Sequence, residues 1–201
     1  MEGTFCSHSF KFLLILLAIN SYINFSSAGR QIAPQSSAEF IRTSCSSTTY
    51  PKLCFETLST HASLIQTSPQ LLAHAALNVS LSTTESTSAM MVTLSKSHGL
   101  KPREAEAMQD CVEELSDSID ELRKSISEMG QVKGSNFGLM INDVQTWVSA
   151  ALTDESTCSD GFQGNNMNGN VKTAVRTKIL RIAHLTSNAL ALINNYASLH
   201  G

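Results

Sequence analysis

KPREAEAMQDCVEELSDSIDELRKSISEMG, Lys101 to Gly130, carries the cleanest periodicity in this sequence of 201 residues. Ala105, Met108, Val112, Leu115, Ile119, Leu122, Ile126 and Met129 recur at helical gaps, so they share one stripe of a straight helix. Pro102 stands where a first turn tolerates proline, and Gly130 where a left-handed C-terminal cap favours glycine. Glu113, Asp117 and Asp120 fall opposite the stripe, with Glu114 and Glu121 beside them and Arg123 and Lys124 only near the end. The expected result is a bundle helix with an acidic outer face. Cys111 lies beside the buried stripe, where a cysteine of an exported chain is expected to be bridged.

Export is read from the N-terminus. Lys11 precedes an apolar run, Phe12 to Ile19, too short to span a bilayer, and Ser26-Ser27-Ala28 offers small residues for a signal peptidase. Residues 1–28 are therefore expected to be a signal peptide, and no transmembrane segment follows. Glu2 and Lys11 cancel, so the mature chain keeps the net charge of -3, too mild to point to nucleic acid or a membrane surface. Of five cysteines, Cys6 leaves with the signal peptide, and Cys45, Cys54, Cys111 and Cys158 remain. Two disulfides are the default in an oxidising compartment. The sequence alone leaves the pairings open, although Cys45 with Cys54 closes a short loop and leaves Cys111 with Cys158. In the chain-entropy model such bridges contribute roughly 3 and 4 kcal/mol.

Arg30 to Ser36 reads as a polar lead-in, and Ser37 to Ser44 as the start of a short helix. A turn inside the Cys45 to Cys54 span follows, then Pro51 opens a second short helix through Phe55, Leu58 and Ala62, giving a helical hairpin. Ser68-Pro69 caps a long helix with Leu72, Ala76, Val79, Thr83, Ser86, Met90 and Leu94 as its apolar side, ended by His98-Gly99. Asn78-Val79-Ser80 within it is a glycosylation sequon, with a plain helical Asn as the alternative.

After a polar connection, Gln131 to Asn136, a third long helix carries Ile141, Val144, Val148 and Ala151, with Trp147 beside the stripe. Its pattern reaches Cys158, which can meet Cys111 across neighbouring helices. Ser159 to Asn170, with Gly161, Gly164 and Gly169, reads as a loop; it lacks the Gly-Lys-Ser/Thr ending a phosphate cradle needs. The last helix, Val171 to Leu199, is expected to bury Val175, Ile182, Leu185, Ala189, Leu192, Tyr196 and Leu199, with Lys172, Arg176, Lys178 and Arg181 as a solvated basic band. Long amphipathic helices with short connections and no convincing strand give an all-α fold, an up-and-down four-helix bundle at 69–201 with an N-terminal extension and hairpin at 29–68.

The inventory for chemistry is thin. His61, His74, His98, His184 and His200 are scattered without Glu-x-x-His or His-Glu-x-x-His spacing, and the cysteines lack Cys-x2-Cys spacing, so no metal or other cofactor is expected. No Gly-x-Ser-x-Gly elbow is present, and no mature cysteine is left over as a nucleophile. Glu113 and Asp117 make a poor acid and base pair, because an open helix face does not desolvate them. A solubilising surface and an acidic docking surface are the two readings that remain.

Cys45-x8-Cys54, then Cys111-x-Glu113-x3-Asp117-x2-Asp120-x-Leu122, then Asp143-Val-Gln-Thr-Trp147-Val-Ser149-Ala150-Ala151-Leu152-Thr153-x3-Thr157-Cys158-x-Asp160-Gly161-Phe162, resembles the plant invertase and pectin methylesterase inhibitor family over nearly all of the mature chain. The last block is the most specific. The resemblance implies a four-helix bundle with a helical hairpin, bridges Cys45 to Cys54 and Cys111 to Cys158, and a secreted, non-enzymatic inhibitor in the apoplast or cell wall. Invertase inhibitors in this family carry Pro-Lys-Phe before the third long helix, where this chain reads Gly134-Ser135-Asn136-Phe137. The resemblance therefore favours pectin methylesterase as partner, with cell-wall or vacuolar acid invertase as the alternative. It assigns partner binding to Glu113, Asp117, Asp120, Thr157 and Asp160. Inhibition is expected by occlusion of the pectin-binding cleft in a 1:1 complex, tighter in acid. A secreted helical carrier of a small apolar ligand is the more distant alternative.

Overall fold

The computed structural model describes residues 35–163 and 169–200. The expected signal peptide with Cys6, and residues 164–168 of the expected loop, lie outside the described residues. The elements are α1 (Ser37–Cys45), α2 (Pro51–Leu58), a 3-10 turn (Ser59–His61), α3 (Ala62–Ile65), and the long helices α4 (Pro69–Ser95), α5 (Pro102–Met129), α6 (Phe137–Gly161) and α7 (Asn170–Ser198). Among the described residues there is no strand. The long helices form a ring in which α4 packs on α5, α5 on α6, α6 on α7, and α7 back on α4. This is the up-and-down bundle expected. The hairpin packs on α4 and α7, the first and last staves of that ring.

Local chemistry sets the helix starts. Ser36, the end of the expected lead-in, caps α1 by accepting from the Glu39 N–H at 3.2 Å, and Ser68 caps α4 by accepting from the Leu71 N–H at 3.3 Å. In α5 the Glu104 carboxylate reaches back to accept from the Lys101 N–H at 3.0 Å. That contact holds Glu104 inward and corrects the expected stripe, because Ala105 is exposed. The observed stripe is Glu104, Met108, Cys111, Leu115, Ser118, Leu122, Ser125 and Met129, a stricter seven-residue repeat, with Val112, Ile119 and Ile126 half-buried at its side. Gly130 is also corrected: its φ of -69° is ordinary right-handed backbone, whereas Gly99 takes +99°.

The same rotation occurs in α4. Its buried residues are Leu72, Ala73, Ala76, Leu77, Ser80, Thr84, Thr87 and Met91, while Val79, Thr83, Met90 and Leu94 are half-buried and Ser86 is exposed. Thr84 and Thr87 can be buried because their hydroxyls donate to the Ser80 and Thr83 carbonyl oxygens at 2.9 and 2.8 Å. In α6, Ile141, Val144, Val148 and Ala151 are buried as expected, but the helix runs through Cys158 to Gly161 and shortens the expected loop. Leu199 was expected in the core; it lies beyond the end of α7 and is 65% exposed. The basic band is not one solvated face: Lys178 and Arg181 are exposed, whereas Arg176 and Lys172 are half-buried.

Two apolar clusters fill the bundle. One joins Leu77, Leu122, Ala151 and Ala189 to hairpin residues Ile41, Leu58 and Ile65; the other joins Met91, Leu115, Cys158 and Ile182. Between them lies a polar layer with one contribution from each long helix. Ser118 and Thr186 donate to the buried Glu155 Oε1 at 3.0 and 2.9 Å, and Thr84 Oγ1, whose proton goes mainly to the Ser80 carbonyl oxygen, lies 3.5 Å from it. Glu155 Oε2 and Ser80 Oγ are buried without a hydrogen-bond partner among the described residues. Burial is the main cause that pushes the Glu155 carboxyl up to about 8, against the hydroxyls that lower it.

Both bridges follow the pairing that the resemblance implies. Cys45–Cys54 ties α1 to α2 with Cα atoms 5.6 Å apart, and Cys111–Cys158 ties α5 to α6 at 4.4 Å.

Candidate docking face

Amphipathic periodicity turns the charged residues of α5 outward, and the Cys111–Cys158 bridge clamps that helix against the last turns of α6. The two helices run antiparallel, so residues counted forward from Cys111 lie level with residues counted back from Cys158. Glu114 and Asp154 are therefore neighbours about one turn from the bridge. Their electrostatics agree. Burial, then Glu114, Glu121 and Asp117, push the Asp154 carboxyl up to about 6. Burial, then Asp117, Asp110 and Glu113, raise the Glu114 carboxyl above its ordinary value. One oxygen of Glu121 is buried without a hydrogen-bond partner among the described residues. The result is an acidic seam along α5 and α6, in which burial and neighbouring carboxylates hold the Asp154 and Glu114 carboxyls above their ordinary values.

Of the residues expected to bind a partner, Glu113, Asp117, Asp120, Thr157 and Asp160 are all exposed. Glu113 and Asp117 belong to the seam. Asp120 does not: it meets Arg123 at 3.5 Å, and Arg123 also reaches Glu85 of α4 at 2.7 Å. Thr157 donates to the Thr153 carbonyl oxygen at 3.0 Å, and Asp160 accepts from the Gln163 side chain. Asp160 lies on the other side of the bridge, about 12 Å along the helix axis from Asp117. Asp154 and Glu155 escaped the sequence reading. For Asp154 the available signal was its place four residues before Cys158, level with Glu114; for Glu155 it was an acidic residue on the stripe of Ala151 and Cys158.

The connection before α6 is exposed at Lys133, Gly134 and Ser135, and the chain turns back to the bundle at Phe137. The Lys133 N–H donates to Asn136 Oδ1 at 2.7 Å, and the half-buried Phe137 ring sits edge-on to Tyr196 at 5.4 Å and stacked on His200 at 4.5 Å. Phe137 is thus engaged within the bundle end. Tyr50 and His184 stack at 3.7 Å where hairpin meets α7, and burial lowers the His184 pKa. Among the described residues no group of His, Cys, Asp and Glu is arranged to hold a metal ion, and no helix is long and apolar enough to cross a membrane.

The sequence matches the family described as plant invertase/pectin methylesterase inhibitor over residues 39–192. It is 46% identical to a "21 kDa protein" of Daucus carota over 81% of this chain and 86% of that protein. It is 44% identical to "Pectinesterase inhibitor 11" of Arabidopsis thaliana over 92% of this chain and 94% of that protein. A crystal structure of a mutant form of a pectin methylesterase inhibitor from Arabidopsis superposes with a TM-score of 0.62 at 23% identity, covering 77% of this chain and 95% of that one. That likeness concerns the fold.

Proposed function

This chain belongs to the plant invertase/pectin methylesterase inhibitor family, and on that premise we propose that it is a secreted protein inhibitor of pectin methylesterase that acts by occlusion in the apoplast. The observation that carries the choice of target is the near-full-length similarity to proteins named pectinesterase inhibitors. The acidic seam of α5 and α6 supports the choice of face. No chemistry is asked of the inhibitor. The bundle lies across the pectin-binding cleft in a 1:1 complex, with Glu113, Asp117 and Asp120 of α5 and Thr157 and Asp160 of α6 in contact, and Asp154 at the centre of the seam.

The proton balance of the seam supports tighter binding in acid. Asp154 titrates at about 6, so as pH falls through that value the seam loses charge and gains a hydrogen-bond donor. Against a cleft that itself holds carboxylates, both changes favour contact. The engagement of Phe137 with Tyr196 and His200 weighs against the invertase alternative, in which the phenylalanine at this place reaches into the target. The carrier alternative calls for ligand space in the core, and the cavity beneath the hairpin, lined by Leu58, Ala76 and Leu185, holds about 10 Å³, scarcely one water.

Titration of the oxidised protein against a plant pectin methylesterase, with acid invertase in parallel at mildly acidic pH, tests this reading. Loss of esterase activity with a 1:1 end point and untouched invertase is expected. Full esterase activity in excess inhibitor, or inhibition of invertase alone, overturns it.

A further inference from the structure

A groove of about 530 Å³ runs between the end of the hairpin and the first half of α4, within the size range of small-molecule sites. His61 and Leu64 line it from the hairpin side; Leu71, His74 and Asn78 line it from α4. It is an exposed apolar patch, with Leu64 71% and Leu71 46% accessible, on a face of the bundle separate from the acidic seam. Asn78 is the acceptor position of the Asn78-Val79-Ser80 sequon. The motif and the uncovered surface therefore coincide at one side chain.

We propose that Asn78 carries an N-linked glycan whose first N-acetylglucosamine units lie in this groove and cover Leu64 and Leu71. The proposal rests on the secretory reading above, since the oligosaccharide comes from a lipid-linked diphosphate donor in that route. The bond formed joins Asn78 Nδ2 to C1 of the first sugar; the C1–O bond to the diphosphate breaks, the diphosphate leaves with its electron pair, and one Nδ2 proton is released. The amide of Asn78 accommodates that exchange. Nδ2 donates to the His74 carbonyl oxygen at 2.8 Å and faces His74 Nδ1 at 3.1 Å. Glycosylation removes one proton and leaves the other for the carbonyl oxygen, while C1 takes the direction now facing His74 Nδ1 and the His74 ring turns aside to admit the sugar.

The groove suits that occupant. Pyranose rings carry apolar C–H faces and N-acetyl methyls that pack on leucine, and polar rims that histidine and serine meet. Ser80, whose hydroxyl completes the sequon, is fully buried, which is no obstacle because the transferase reads the chain before it folds. Its Oγ has no hydrogen-bond partner among the described residues. Ser80→Ala therefore removes the sequon without removing a contact that the fold uses.

The full chain is produced in leaf tissue, recovered from apoplastic fluid and from the cell residue, and the Asn78 peptide is weighed before and after enzymatic release of N-glycans. A glycan mass on the wild type, absent from Asn78→Gln and Ser80→Ala, is expected. Unmodified wild type overturns the proposal, and the fraction in which it is found separates this from failure of the secretory reading: unmodified protein in the apoplast leaves secretion standing. Seating is read with an apolar fluorescent dye on protein of known oligomeric state. Several-fold more dye on the monomeric Ser80→Ala protein than on the glycosylated wild type is expected. Equal dye binding by both means that the sugar points to solvent, and low binding with a dimer means that a second copy covers the groove; either overturns the seating.

Discussion

Asp117 and Asp120 lie less than one helical turn apart, yet they have different electrostatic neighbours. Asp117 acts on Glu114 and Asp154 within the seam, whereas Asp120 shares Arg123 with Glu85. A lysine at position 117 reverses charge among uncompensated carboxyls; a lysine at 120 disturbs a triad that is already balanced. Asp117→Lys is therefore expected to weaken esterase inhibition by about tenfold or more, and Asp120→Lys by less, with melting temperatures of both near wild type because the residues are exposed. Inhibition constants for the two variants, measured at one mildly acidic pH, decide it. An equal or reversed order sinks the seam as the centre of docking.

At the scale of elements, the polar layer across α4, α5, α6 and α7 is the unusual feature. In water a carboxyl such as Glu155 titrates near 4.5, whereas in the fold it does so at about 8. The folded state thus holds a proton that the unfolded chain releases between those values, so stability is full below about pH 4.5, falls as pH rises to about 8, and is level beyond. The folding equilibrium loses about a factor of ten for each pH unit in that window. Glu155→Gln keeps an oxygen that accepts from Ser118 and Thr186 and has no proton to lose. Its denaturant midpoint is expected to depend less on pH between 5 and 7.5, with the residue of the slope coming from Asp154 and Glu114, whose raised values act in the same direction. An unchanged slope in the variant excludes Glu155 as the source. The layer sits where Ser118, Thr84 and Thr186 occupy core positions, so it also fixes the height at which the staves meet.

For the whole molecule, the question is what holds the hairpin to the bundle. The Tyr50 N–H donates to Asn188 Oδ1 at 3.0 Å, and Asn188 Nδ2 donates to the Tyr50 carbonyl oxygen at 3.0 Å, a two-point clasp next to the Tyr50–His184 stack. Asn195 adds a donation to Ser47 Oγ at 2.9 Å. Asn188→Ala leaves the part-buried Tyr50 N–H without a partner and its carbonyl oxygen with the Cys54 N–H alone, a loss of roughly 1–3 kcal/mol. A melting temperature lower by several degrees is expected, together with faster proteolysis in the hairpin than in the long helices. Unchanged melting and unchanged cleavage would mean that apolar contacts through Ile41, Leu58 and Ile65 suffice alone.

Much of the architecture was written locally. Ser68-Pro69 started α4, Pro102 started α5, and the spacing of Ile141, Val144, Val148 and Ala151 put the buried side of α6 where it is, because capping and amphipathic burial act within a few residues. Rotation about the helix axis in α4 and α5 was not local. Ala105 and Ser86 fitted an apolar stripe on paper, but the bundle buried Glu104, Thr84 and Ser118 instead, since a helix hydroxyl or carboxyl is cheap to bury when a neighbouring element or its own previous turn supplies its hydrogen-bond partner. The outward carboxylates of α5 were legible for the same reason that its helix was. Which of them share a seam was not: Asp154 meets Glu114 only because Cys111 and Cys158 join antiparallel helices, and Asp120 leaves the seam only because Arg123 reaches Glu85 from α4. Sequence determined which segments fold as helices and which faces are charged, since those follow from neighbours along the chain; tertiary structure alone decided the electrostatic company of each carboxyl, since that depends on residues brought together from distant parts of the chain.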